Sequence, residues 1–134
     1  MKNKIALIAS WILILSGCTA PAHVQKQASE TLTGACLAMF LEQGPYKYQA
    51  AANMGLAAFA VAIDPKTGEM ACGKATNYYG DVADGLFIFL PPMDRLEAVA
   101  IQRCEQIKPT TLNSPCRLFA KGNDIVWGKD QGLM

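Results

Sequence analysis

Cysteine, histidine and aspartate are the side chains of this chain that could do chemistry, and their spacing decides how much. The 134 residues include five cysteines (Cys18, Cys36, Cys72, Cys104 and Cys116) and a single histidine, His23. The last four cysteines are 36, 32 and 12 residues apart, without the close C-x-x-C pairs that tetrahedral zinc sites use. His23 stands near the amino terminus, so Ser-His-Asp and Cys-His arrangements lack a base in the body of the chain. Neither a P-loop nor a G-x-G-x-x-G is present. One polar cluster remains, Asn77 to Asp84, where Asp81 and Asp84 would take a ligand or cation on a loop, calcium favouring carboxylate and carbonyl oxygens. Two carboxylates are few for calcium, and an ordinary solvated loop would use the same Asp and Gly in its turns. No metal or other cofactor is implied.

An odd cysteine count leaves one thiol over in an oxidising compartment, and the amino terminus accounts for it. Lys2 and Lys4 precede an apolar run from Ile5 to Leu15, broken only by Ser10. Eleven helical residues reach roughly 16 Å, about half of a ~30 Å hydrocarbon core. The run is too short to span and has the layout of a secretory signal. It ends in Leu15-Ser16-Gly17-Cys18, which resembles the lipobox of bacterial lipoproteins. That resemblance implies diacylglycerol on the Cys18 sulfur, cleavage before Cys18 and further acylation of the new amino terminus, a palmitate-type anchor in the cell envelope. Two or three acyl chains at ~0.8 kcal/mol per buried CH₂ hold stably. Thr19, in place of the Asp that favours inner-membrane retention, points to the outer membrane, facing the periplasm.

Removing residues 1–17 from the 134 leaves 117, enough for one domain. Lys2 and Lys4 leave with the signal, so 10 basic and 11 acidic residues remain. That balance gives no electrostatic footprint for nucleic acid. Residues 18–28, with Pro21, His23 and two glutamines, read as a flexible tether, and 29–134 as the folded domain.

Ser29 suits an N-cap, and Leu32, Cys36 and Phe40 set a helical stripe over about 30–43, stopped by Gly44-Pro45. Leu56–Ile63 and Met70–Thr76 flank a turn at Asp64–Gly68 and form a hairpin. In its first arm Phe59, Val61 and Ile63 share one face and alanines the other, so both faces should be covered, with a helix close to the alanines. A second helix follows Pro91-Pro92, with Asp94 and Glu97 at capping-box spacing, a stripe of Leu96, Ala100, Cys104 and Ile107, and Pro109 as its stop. Cys116, Leu118 and Ala120 alternate with Arg117, Phe119 and Lys121 as a half-buried strand. Gly122-Asn123 then turns it back to Ile125–Trp127. Lys74 and Lys121 read as solvated edge charges. The fold class is α+β: a small antiparallel sheet of two hairpins with two packed helices, stapled by disulfides.

The stretches 96–104, 116–120 and 123–127 are similar to a group of small exported bacterial domains of unknown function, the DUF4189 type. In that group an Ala-rich helix ends in Cys and the next strand begins with Cys. The likeness spans 58–127, is made mostly of common residue types and brings no catalytic motif; the insert 81–92 departs from it. Four cysteines allow three connectivities, of which Cys36–Cys72 with Cys104–Cys116 suits the element order best.

The run Leu86-Phe87-Ile88-Phe89-Leu90 is either core or an exposed apolar patch beside Tyr78 and Tyr79, of the kind that marks interaction sites. Tyr78, Tyr79 and Phe87 are the candidate contacts, and Phe89, nearest the prolines, the candidate core residue. The expected function is that of a lipid-anchored envelope module binding another protein or a cell-wall component without chemistry. The alternative is a periplasmic enzyme or small-ligand binder using Tyr78–Asp84.

Overall fold

The segment Ala57–Ile63 is apolar at every position and forms the central strand β1. Successive side chains of a strand point to opposite faces, so Phe59 and Val61 enter one core layer and Ala58, Ala60 and Ala62 the other. In the computed structural model, which describes residues 19–77, 81 and 92–129, three helices precede it: α1 (Ala22–Thr31), α2 (Gly34–Leu41) and α3 (Tyr48–Ala52). After β1 come β2 (Met70–Thr76), α4 (Met93–Ile107), β3 (Arg117–Lys121) and β4 (Asp124–Ile125). The sheet is antiparallel in the order β2-β1-β3-β4, so the two hairpins merge by pairing β1 with β3. The α+β class, the antiparallel sheet and the disulfide staples are as expected; the described helices number four rather than two.

On one face, Phe40, Tyr48, Phe59 and Phe119 are fully buried among α1, α2 and α3. Phe40 meets Phe59 at 5.2 Å and Phe119 at 5.3 Å between ring centroids, both edge-on, the arrangement aromatic quadrupoles favour. On the other face α4 lies on the alanines of β1 and on Ala71 and Ala75 of β2. Small side chains there let the helix backbone approach the sheet.

Several expectations are corrected. Most of the stretch expected as a tether is packed: Ala22–Thr31 is helical, and Ala20, Val24 and Ala28 are buried. They extend the Leu32, Cys36, Phe40 stripe upstream at the same four-residue interval. The helix expected over 30–43 is broken at Leu32-Thr33, where both residues are extended and Gly34, with φ +54°, takes a conformation open to glycine. Ser29 is therefore no cap; its hydroxyl bonds back to the Lys26 carbonyl. Asp94 and Glu97 form no capping box: the N-cap is Pro92, with no side-chain cap bond, Asp94 accepts from the adjacent Arg95 amide, and Glu97 pairs with Lys121 at 3.2 Å. Lys121 is thus a solvated charge that also ties β3 to α4. Finally, Phe119 is fully buried, because a register shift opposite Phe59-Ala60 interrupts the alternation of β3.

Candidate functional site

The polar loop that the sequence marks is represented by Asp81; Tyr78, Tyr79, Asp84, Phe87 and Phe89 lie outside the described residues. Both oxygens of the Asp81 carboxylate are engaged by the fold. Its Oδ2 accepts from the Thr76 amide at 2.7 Å and the Thr76 hydroxyl at 3.0 Å, at the end of β2. Its Oδ1 accepts from Arg103 Nη1 at 2.9 Å, and Arg103 Nη2 donates to the Asp81 carbonyl at 2.6 Å. Arg103 also donates to the Lys74 carbonyl at 2.9 Å. One guanidinium therefore ties α4, β2 and the loop after it. A planar fork with several donors suits this bridging. Sequence reasoning overlooked Arg103, which carries no motif and sits next to a cysteine on a helix.

A second polar assembly lies at the β3–β4 turn. Gln49 is fully buried; its Nε2 donates to the Phe40 carbonyl at 2.9 Å and its Oε1 accepts from Asn123 Nδ2 at 3.0 Å. Asn123 Nδ2 also reaches Asn53 Oδ1 at 2.8 Å, and Asn53 Nδ2 donates to the Thr19 carbonyl at 3.2 Å. Tyr48 donates to the Gly122 carbonyl at 2.8 Å, and burial pushes its phenol pKa well above the ordinary value of 10.0. Asn123 Oδ1 is buried with no partner among the described residues. Only the Gly122-Asn123 turn signal hinted at this assembly; α3, which supplies Tyr48 and Gln49, is a single short helix whose tyrosine, glutamine and alanines show no helical stripe.

All four cysteines of the body are paired, Cys36–Cys72 and Cys104–Cys116, with Cα separations of 5.9 and 6.0 Å. No thiol nucleophile is left among the described residues. The second bridge is braced by Glu105, whose carboxylate accepts from the Cys116 amide at 2.7 Å and pairs with Lys108 at 2.8 Å. The Cys116 amide first, and then Lys108, hold the Glu105 carboxyl below its usual range. His23 is exposed on α1. Among the described residues no group of three or more His, Cys, Asp or Glu could hold a metal ion, and no helix is long and apolar enough to cross a membrane.

No protein-family model, no curated protein and no solved structure matches the chain.

Proposed function

We propose that this protein is a lipid-anchored module of the bacterial cell envelope that binds another protein or a cell-wall component and performs no chemistry. The observation that carries the reading is the order Lys2, Lys4, apolar run, Leu15-Ser16-Gly17-Cys18. The body supports it: four cysteines close on one another in two bridges, leaving Cys18 as the cysteine outside them. Disulfides of this kind persist in exported proteins. Thr19 after the lipidated cysteine favours the outer membrane, facing the periplasm. Tyr78, Tyr79 and Phe87 are the proposed contacts with the partner. A ligand loop over Tyr78–Asp84 is less favoured, since Thr76 and Arg103 already occupy the Asp81 carboxylate.

Mass spectrometry of the protein from its own membrane fraction tests the anchor: a chain beginning at diacylglyceryl-Cys18 is expected, and an unmodified Cys18 overturns it. Cys18→Ala should leave unprocessed precursor. Phe87→Asp in the lipidated protein tests the binding face. Loss of a co-purifying envelope partner with unchanged melting temperature supports the contact; unfolding, or unchanged binding, refutes it.

A further inference from the structure

Resting on the proposed acylation of Cys18, we infer that one end of the sheet, formed by the turns Asn53–Gly55 and Gly122-Asn123, lies directly against the lipid headgroup layer. The chain is fixed to the body from the first residue after the anchor. Asn53 holds the Thr19 carbonyl, Gln25 Nε2 donates to the Ala20 carbonyl at 2.7 Å, and Ala20 is buried. Pro21 opens α1, and Val24 and Ala28 sink that helix into the core. An extended residue spans at most ~3.6 Å, so the acyl group is attached within one residue's length of the Thr19 that Asn53 holds. Were residues 19–21 to peel away, the leash would still be about 10 Å. A free tether over 18–28 would instead reach up to ~40 Å and let the domain stand off the bilayer.

The end nearest Thr19 is identified by strand direction. β1 starts there at Ala57, β3 finishes there, and the Gly122 amide bonds the Ala57 carbonyl. Asn123 Nδ2 links the two turns through Asn53 Oδ1. Met54, the residue after Asn53, is 66% exposed, an apolar side chain set where the acyl chains enter. The opposite turn, Asp64–Gly68, is separated from this end by the length of β1, about 20 Å for seven residues. Of the described charges beside the anchored end, Lys121 pairs with Glu97 at 3.2 Å and Asp124 with Lys129 at 3.7 Å. Contact is therefore set by the anchor, with Met54 as an exposed apolar side chain at that end.

The experiment places a nitroxide at Met54→Cys or at Lys66→Cys in the lipidated protein, reconstituted in phosphatidylethanolamine–phosphatidylglycerol vesicles. Collisions with oxygen and with an aqueous nickel complex are then compared. The Met54 position should show several-fold fewer nickel collisions than Lys66 and a gain in oxygen collisions. Inserting ten Gly/Ser residues between Cys18 and Thr19 should return Met54 to the aqueous level while the protein stays on the vesicle. Equal nickel access at both positions in vesicle-bound protein overturns the inference and leaves the anchor standing. Absence of the acyl group by mass spectrometry removes both, so the two failures are told apart.

Discussion

Gly73 of β2 lies beneath the backbone of α4, where a β-carbon built on it would sit 2.6 Å from the Ala100 carbonyl oxygen and closer still to the Cys104 amide. Both obstacles are backbone of a helix that a disulfide holds at Cys104, so neither yields easily. Gly73→Ala should destabilise the domain by about 2–3 kcal/mol, as overpacking does. Gly34 offers the contrast: the space is open, but φ is +54°. Gly34→Ala should cost about 1 kcal/mol through backbone strain alone. Urea midpoints of the two variants check the difference, and equal losses would refute the tight α4–β2 contact.

How much of this was readable beforehand depends on what each element asks of its residues. β1 was legible because its alternation of large residues and alanines states directly that two different layers cover it. α4 was legible from Leu96, Ala100 and Cys104, although Ile107, expected on the same stripe, is 61% exposed, and both disulfides followed from where the cysteines fall on the elements. α1 was missed because Pro21, His23 and the glutamines mask a stripe of alanines and Val24 that continues every fourth residue into Leu32. The site residues were harder. Asp81 looked like a ligand for something outside the chain, yet its partner Arg103 is 22 residues away in sequence. Gln49 and Asn123, 74 apart, are brought together only by the finished sheet. Polar contacts at such separation leave no local pattern to read.

Asp81→Ala tests the clamp. It leaves the buried Thr76 amide without its acceptor and Arg103 without its carboxylate. An orphaned buried donor costs about 1–3 kcal/mol, while the half-exposed ion pair itself adds less than about 1. The expected loss is therefore about 2 kcal/mol, with faster hydrogen exchange at the Thr76 amide. Arg103→Ala combined with Asp81→Ala should lose less than the sum of the single changes. Strict additivity in that cycle would show that the two side chains act separately.

Tyr48 should give the domain an alkaline limit. Its folded pKa is raised by burial, so the folded state holds the phenol proton where the unfolded chain releases it, above about pH 10. Stability is then intact below that pH and falls as the pH rises toward the folded value. Tyr48→Phe removes the hydrogen bond to Gly122 and should cost about 1 kcal/mol at pH 7. The gap between wild type and variant should close above pH 10. A gap that stays constant to pH 11 would contradict the assignment.

The two disulfides should differ in what they contribute. Cys36–Cys72 closes a separation of 36 residues and Cys104–Cys116 one of 12. Chain entropy gives about 4 kcal/mol for the first and about 3 for the second. Cys36→Ser with Cys72→Ser should therefore lower the urea midpoint more than the other pair of changes. Non-reducing peptide maps should show only these two linkages, and a Cys36–Cys104 peptide would overturn the architecture.

Glu105 should supply acid sensitivity from the far end of α4. The Cys116 amide and Lys108 both favour its charged form, so its folded pKa lies below the unfolded value of about 4.3. A lowered carboxylate pKa means that the unfolded chain takes up the proton first on acidification. The stability it provides is thus complete above that unfolded value and is lost as the pH falls through the folded one. Glu105→Gln keeps an oxygen that can accept from the Cys116 amide but ends the attraction to Lys108. The variant should be slightly less stable than wild type at pH 7, and the two should converge as the pH drops below about 4. Because the carboxylate is exposed, 0.5 M salt should narrow the pH 7 gap as well. Urea midpoints across pH 3 to 7, at low and high salt, read both effects. A wild-type advantage that persists unchanged at pH 3 would mean that Glu105 acts through packing and not through its charge.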